Sequence, residues 1–218
     1  MIHLIGDILS APETEALSEA AAALPFEEGS RTAGALARSV KNNAQAAPGP
    51  ERDAVLRKVK AALMANPAFC SVARPKAFAR LLVSRYAGGQ TYGLHVDDAL
   101  MDGTRTDVSF TLCLSAPDSY EGGALVLSEP VEDRAFRPGA GAAIVYPSTT
   151  LHRVDPVTSG VRLAVVGWVT SWVRDPGQRA VLHDLDQAVA AEQAAGGDAA
   201  QLARLARSRS NLIRMWAG

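Results

Sequence analysis

Four polar side chains in the second half of the chain have the types and spacing of a metal site with an anion-binding group beside it. His95 and Asp97 are two residues apart, so on an extended segment both side chains project to one face. His152, from a distant segment, can complete a triangular face of an octahedral metal. Two imidazoles and one carboxylate with open positions are typical of non-haem Fe(II) sites. Arg162, ten residues after His152, offers a fixed guanidinium for a carboxylate.

This combination predicts an oxygenase that uses Fe(II) and the keto acid 2-oxoglutarate. The metal would hold one end of the keto acid, and Arg162 would hold the other. The alternative for the His-x-Asp pair is a hydrogen-bonded couple at a strand end, since such tripeptides also occur by chance in loops. The flanking sequence favours the metal site, because every candidate ligand lies on or beside a strand-like run. The other two histidines, His3 and His183, lack such flanks and are interpreted as surface or packing residues. The strand-like runs are 78–86, 108–114, 142–146 and 162–173.

Composition limits the class of protein. The 218 residues carry a formal net charge of −1 without a basic run, which disfavours nucleic acid as a partner. No apolar run approaches the roughly 20 residues that a membrane helix needs. The first ten residues make a poor signal peptide, because they lack a cationic start and Asp7 interrupts them. Cys70 and Cys113 are too few for a disulfide framework, so we expect a cytoplasmic protein.

The pattern along the chain indicates an α+β protein with three parts. We expect a mainly helical support region over 1–76, an oxygenase core over 77–174 and a helical hairpin over 175–218. Strand candidates in the core recur every ten to twenty residues, with Gly and Pro between them. That spacing favours a jelly roll over βαβ units.

Local signals place the expected helices. A capping box at Ser10 starts a helix that reaches about Leu24, and Pro50 opens a second helix that ends at 66–67. Segment 32–45 is ambiguous and includes a short strand as one option. The link from His152 to Arg162 carries turn signals at 155–156 and 159–160, which predict a hairpin of adjacent strands.

Two more helices, joined by glycines at 196 and 197, are expected in the tail. Their apolar residues are available for packing on the core or on a second subunit, so the sequence allows a homo-oligomer. They are Val181, Leu182, Leu185, Val189, Leu202, Leu205, Leu212, Ile213 and Trp216.

Several segments resemble those of bacterial PKHD-type hydroxylases, within the prolyl-4-hydroxylase-like Fe(II)/2-oxoglutarate dioxygenases. The resemblance covers nearly the whole chain. It implies a double-stranded β-helix core surrounded by helices, with ascorbate expected to rescue oxidised iron. It also implies that His95, Asp97 and His152 bind the iron and that Arg162 binds the 5-carboxylate of 2-oxoglutarate. The matching segments are 41–43, 80–86, 92–97, 105–115, 120–125, 146–154, 162–168 and 211–216.

The resemblance also suggests residues for the pocket. Tyr92 matches an active-site tyrosine of the wider family, and Trp168 matches a pocket-lining aromatic. For Trp168, a plain core aromatic is the alternative, although it shares a strand face with Arg162. Tyr86 and Arg105 are further pocket-lining candidates.

One strand departs from the pattern of many eukaryotic relatives, which have a tyrosine contacting 2-oxoglutarate after the His-x-Asp loop. Here that strand presents Ser109, Thr111 and Cys113 on one face. Which of the three contacts the co-substrate stays open at this point, and Thr111 is the candidate.

The expected activity is hydroxylation of an unactivated C–H bond, with 2-oxoglutarate converted to succinate and CO2. The substrate is a small molecule or a peptide: a protein side chain, a free metabolite or a siderophore-like compound. Two other classes stay open at this point. One is a jelly-roll binding module or iron sensor that does not turn over, and the other is a Zn(II) hydrolase with the same ligands. A keto-acid clamp at Arg162 argues against a simple binding module.

Overall fold

The computed structural model describes residues 1–32 and 34–218. Within them the helices are α1 (Ala11–Ala22), α2 (Ala35–Arg38), α3 (Pro50–Ala65), α4 (Pro67–Ala73), α5 (Pro176–Ala194) and α6 (Ala199–Trp216), with a 3-10 turn at Gly29–Thr32. The strands are β1 (His3–Ile5), β2 (Phe26–Glu28), β3 (Lys41–Asn42), β4 (Ala44–Ala46), β5 (Pro75–Ala87), β6 (Thr91–His95), β7 (Leu100–Met101), β8 (Thr104–Arg105), β9 (Val108–Cys113), β10 (Tyr120–Gly122), β11 (Leu125–Ser128), β12 (Asp133–Phe136), β13 (Ala143–Pro147), β14 (His152–Val154) and β15 (Val157–Ser171).

Two antiparallel sheets form the core. The major sheet has the strand order β1-β13-β9-β15-β5-β4-β2, and β10 also pairs with β15. The minor sheet has the order β12-β11-β14-β6-β3, and β7 pairs with β8 in a separate hairpin. Helices together with antiparallel sheets confirm the predicted α+β class and its jelly-roll core.

Alternation along β15 gives the major sheet two different faces. Leu163, Val165 and Val169 are buried in one apolar core with residues of α1, α3 and α4. The intervening residues, including Val166 and Trp168, do not belong to that core and line a cavity instead. Since side chains on a strand alternate with a period of two, the same strand supports the helices and forms a wall of the cavity.

The N-terminal helices form where the sequence signals place them. The Ser10 backbone N–H donates to the Glu13 carboxylate at 2.9 Å, which confirms the capping box. In α3, the predicted apolar face of Val55, Val59 and Leu63 is buried.

A short helix, α4, follows α3 directly, whereas the Asn66-Pro67 signal predicts only the end of a helix. The Asn66 side chain accepts a hydrogen bond from Phe69 N at 2.9 Å and so caps the new helix. Phe69 is fully buried and packs edge-on against Phe110 of β9, with the ring centroids 5.6 Å apart. This helix therefore fastens the support region to the back of the major sheet.

The ambiguous segment 32–45 divides between both sheets; its residue 33 lies outside the described residues. After the single turn α2, β3 pairs with β6 on the minor sheet, and β4 pairs with β5 on the major sheet. The short strand considered for this segment is thus present. Gly93 N donates to Val40 O at 2.8 Å, which fixes β3 beside β6.

The predicted hairpin between His152 and Arg162 is wrong. β14 pairs with β6 and β11 in the minor sheet, whereas β15 pairs with β5, β9 and β10 in the major sheet. The turn at 155–156 is therefore a crossing between sheets, and Gly160 lies inside β15. A Cβ at Gly160, where φ is +72°, would lie 2.2 Å from Ser119 O, so the glycine permits close approach of the backbone beside β10.

The tail forms the expected helical hairpin, in which α6 packs on α5 and α5 packs on α4 of the same chain. Asp186 of α5 joins the three helices: it accepts from Ser71 Oγ at 2.5 Å, pairs with Arg74 at 2.7 Å and bonds Arg209 of α6. His183 Nδ1 lies 2.8 Å from the same Ser71 hydroxyl, which gives it a packing role. No helix among the described residues combines the length and apolar character needed to cross a membrane.

Leu182 should be the main apolar anchor of this hairpin, because it is fully buried while its neighbour Val181 is 49% exposed. Leu182→Ala should lower the free energy of unfolding by about 2–4 kcal/mol through lost burial and a residual cavity. The control, Val181→Ala, should change it by under about 0.5 kcal/mol. Denaturant unfolding measures both, and equal effects would show that α5 is not anchored through Leu182.

Candidate active site

Two neighbouring strands of the minor sheet bring the two histidines together. His95 ends β6, His152 begins β14, and the two are direct partners in the pairing of these strands. Asp97 follows β6, with Oδ1 4.0 Å from His95 Nε2 and 3.8 Å from His152 Nε2. One ligand atom from each of the three residues lies within 4.8 Å of the others. Nitrogen, nitrogen and carboxylate oxygen at this spacing suit a divalent transition metal.

Backbone carbonyls fix both imidazoles. His95 Nδ1 lies 2.8 Å from Gly93 O, and His152 Nδ1 lies 2.9 Å from Thr150 O. A carbonyl oxygen only accepts, so Nδ1 carries the hydrogen in each ring and Nε2 presents its lone pair toward Asp97. This is how metal-binding histidines are commonly oriented.

Ser109 holds the carboxylate from the opposite sheet. Its hydroxyl donates to Asp97 Oδ2 at 2.6 Å and lies 2.9 Å from Ser148 Oγ, which can donate to it in turn. Oδ2 is thus engaged while Oδ1 faces the histidines. Strand alternation predicts Ser109 on the same face of β9 as Thr111, but it does not predict the hydrogen bond to Asp97. The alternation of side chains along β9, which places Ser109 and Thr111 on one face, is the sequence feature that points to this position.

Burial keeps His95 neutral. Desolvation and the nearby His152 lower the pKa of His95 to about 4, against the opposing effects of Gly93 O and Asp97. At neutral pH the imidazole is therefore unprotonated, which is the form that binds a metal.

Tyr92 lies flat against His95. Their ring centroids are 3.5 Å apart with an interplanar angle of 14°, and Lys41 Nζ lies 5.1 Å from the Tyr92 centroid. Burial, with the carboxylate of Asp97 next, raises the pKa of the Tyr92 phenol, so it stays a neutral hydrogen-bonding group.

A cavity of about 710 Å³, counting its open mouth, contains the three clustered side chains. Among the sequence-predicted residues, Tyr86, Tyr92, Thr111 and Trp168 also line it. The Thr111 hydroxyl hydrogen-bonds Tyr146 across β9 and β13.

Arg105 lies apart from this cavity. Its Nε donates to Asp107 at 2.8 Å and its Nη2 donates to Ser171 O at 3.2 Å. The second of these bonds ties the end of β8 to the end of β15.

Arg162 is 3% exposed and shares a strand face with Val166 and Trp168, although it does not itself line the cavity. Its guanidinium lies 5.4 Å from the Tyr86 ring centroid, and its charge counteracts the rise that burial causes in the pKa of Cys113. Its Nη1 has no hydrogen-bond partner within the described residues. A buried, unpaired guanidinium donor is costly, and a carboxylate ligand would remove that cost. The residues present therefore fit both a metal and a dicarboxylate.

Two family models match the chain. A model described as the 2OG-Fe(II) oxygenase superfamily matches residues 81–170, and one described as the PKHD-type hydroxylase C-terminal domain matches residues 176–218. A PKHD-type hydroxylase from Maricaulis maris is 50% identical over 192 residues, which is 88% of each chain. Another, from Acaryochloris marina, is 44% identical over 218 residues, covering 100% of both.

Solved structures share the fold. A prolyl hydroxylase from Trichoplax adhaerens, in complex with a hypoxia inducible factor peptide fragment, aligns with a TM-score of 0.60 and 19% identity, over 83% of this chain and 86% of that one. A Pseudomonas putida prolyl-4-hydroxylase aligns with a TM-score of 0.55 and 21% identity, over 78% of this chain and 92% of that one.

Removing the Ser109 hydroxyl should weaken metal binding. Ser109→Ala leaves Asp97 Oδ2 without its donor, and loss of such an outer partner typically costs about 10–100-fold in metal affinity. Titration with Co(II), followed by its visible spectrum, measures the change. Ser119→Ala, which removes an exposed hydroxyl ten residues further along the chain, should leave the affinity unaltered. Equal affinities for all three proteins would show that Ser109 does not position the carboxylate.

Proposed function

Because this chain belongs to the PKHD-type hydroxylases, a group of 2OG-Fe(II) oxygenases, we propose that it hydroxylates an unactivated C–H bond of a small-molecule or peptide substrate. The observation that carries this proposal is a converging His–Asp–His cluster combined with a buried guanidinium that has an unpartnered donor in the described part of the chain. Bound Fe(II) and 2-oxoglutarate supply the activation of O2, with succinate and CO2 as co-products.

Each side chain has a separate task in this proposal. His95, Asp97 and His152 hold the metal on one face, and the neutral imidazole of His95 need lose no proton to do so. Arg162 receives the 5-carboxylate of 2-oxoglutarate. Tyr92 and Thr111 flank the co-substrate with hydroxyl groups. Buried walls exclude water, so that charge-assisted bonds inside are stronger than in solvent.

The remaining assignments of this proposal concern the chain as a whole. The division into 1–76, 77–174 and 175–218 is supported by family matches that start at residues 81 and 176. We infer a role for ascorbate in keeping the iron reduced, and a cytoplasmic location, from the resemblance and the composition. The peptide bound by the Trichoplax enzyme supports a peptide as one option for the substrate.

The metal ligands should be individually essential. His152→Ala leaves two ligands, too few to fix the facial geometry, and should abolish 2-oxoglutarate turnover while the protein stays folded. Succinate formation under O2 in iron-loaded protein measures this. His183→Gln is the matched control, and we expect its turnover within about twofold of wild type. Succinate formation by wild type would also exclude a silent sensor and a zinc hydrolase, whereas full turnover in His152→Ala would refute the ligand assignment.

The Arg162→Leu variant should still bind the metal, but its affinity for 2-oxoglutarate should be much lower. Loss of a buried charge-assisted pair should cost roughly 2–4 kcal/mol of binding free energy. Arg162→Lys should recover part of it, since an ammonium cannot form the bidentate pair. Calorimetric titration of Co(II)-loaded protein with 2-oxoglutarate compares these variants with Arg134→Leu, a change at a half-exposed strand residue. Unchanged affinity in the leucine variant would mean that another cation binds the carboxylate.

A further inference from the structure

Packing determines where the guanidinium of Arg162 lies, because its Nη1 has no hydrogen-bond partner in the described part of the chain. The guanidinium carbon lies 5.4 Å from the ring centroid of Tyr86, which is opposite Arg162 in the pairing of β5 with β15. An aromatic face attracts a guanidinium at that distance. The side chain is buried, so its position also depends on the residues that pack against its aliphatic stem.

The stem of Arg162 packs against Gly123, in the short link between β10 and β11. A Cβ placed at Gly123 would lie 3.0 Å from Arg162 Cδ, 2.7 Å from Val157 Cγ2 and 3.1 Å from Tyr120 Cε2. Val157 and Tyr120 are buried in the apolar cluster that also contains Tyr86. Because a close-packed interior has little free space, a methyl group at position 123 would have to displace one of these neighbours.

The backbone fixes Gly123 at this contact. Its N–H donates to Pro156 O at 3.1 Å, and the Asp155 N–H donates to Ala124 O at 2.9 Å. These bonds join the link between β10 and β11 to the crossing between β14 and β15. The φ of Gly123 is +63°, in the left-handed region that residues with a side chain seldom adopt. This glycine therefore provides both the backbone conformation of the link and the space that the Arg162 stem occupies.

We propose that Gly123 is a positioning residue for 2-oxoglutarate, because the space beside it seats the stem of Arg162 and so sets where the guanidinium meets the 5-carboxylate. This inference rests on the proposed function and deepens it: a residue without a functional group determines the geometry of the carboxylate-binding arginine. A methyl group at position 123 displaces the stem and weakens the charge-assisted bonds that the guanidinium donates. The effect is confined to ligands that carry the distal carboxylate.

The test compares two ligands by calorimetric titration of Co(II)-loaded protein in the absence of O2. 2-Oxoglutarate carries the distal carboxylate, and 2-oxopentanoate has the same carbon chain with a methyl group in its place. Gly123→Ala should weaken binding of 2-oxoglutarate by about tenfold, since a small misplacement of a binding group has a large effect. Its affinity for 2-oxopentanoate should change by less than about twofold.

Gly196→Ala is the matched control for the backbone. The φ of Gly196 is +66°, and no atom lies within 4 Å of the position that a Cβ would take. This variant has the same unfavourable conformation without a displaced neighbour, and it lies in the turn between α5 and α6. Its affinities for both ligands should stay within about twofold of wild type.

A double-mutant cycle with Arg162→Leu separates positioning from general damage. In the Arg162→Leu background, Gly123→Ala should lower 2-oxoglutarate affinity by less than about twofold, because the guanidinium that it displaces is gone. Equal losses in both backgrounds, or equal losses for the two ligands, overturn the proposal. Unchanged 2-oxoglutarate affinity in folded Gly123→Ala protein overturns it too.

A second background serves in case Gly123→Ala alone does not fold. Val157→Ala removes the methyl group closest to the new Cβ, so that Arg162 Cδ becomes the nearest of the three neighbours. The selective loss of 2-oxoglutarate affinity is expected there as well, and its absence overturns the proposal. Unchanged affinity in Arg162→Leu itself would count against the proposed function. A loss in Arg162→Leu without one in Gly123→Ala would count against the positioning role alone.

Discussion

The convergence of three ligand atoms on one point depends on the contact between the two sheets. The minor sheet supplies both histidines from adjacent strands, and their carbonyl partners fix the tautomers. The carboxylate of Asp97 comes from the loop after β6, which by itself would leave it free to rotate. Ser109, from the major sheet, removes that freedom with a bond of 2.6 Å. Any change in the spacing of the sheets would therefore alter the geometry of the ligands.

The helices stabilise this spacing from outside. One face of the major sheet is covered by α1, α3 and α4, whose buried side chains form a single core with the strands. Close packing of that kind resists displacement, because moving one layer opens voids throughout it. The C-terminal hairpin continues the same layer, through Leu182 and the bonds of Asp186 to α4. It supports the core without placing a side chain in the cavity.

The charged groups in and beside the cavity match the proposed chemistry. A buried guanidinium, Arg162, shares a strand face with Val166 and Trp168, and these two residues line the same cavity as the His–Asp–His cluster. Lys41 and Arg80 also line this cavity. The buried Arg162 has a donor without a partner in the described part of the chain, so the free energy gained when a carboxylate binds it is available to orient 2-oxoglutarate.

Features that depend on local periodicity and capping could be predicted from the sequence. The predictable features each depend on neighbouring residues only. They are the two-residue spacing of His95 and Asp97, the alternation along the strands, the Ser10 capping box and the tail helices. Three features are evident only in the tertiary structure. β14 and β15 belong to different sheets, Ser109 hydrogen-bonds Asp97, and Lys41 lies against Tyr92. The last two contacts join residues that are 12 and 51 positions apart in the chain. Strand order and register set them, and one sequence contains no local signal for either.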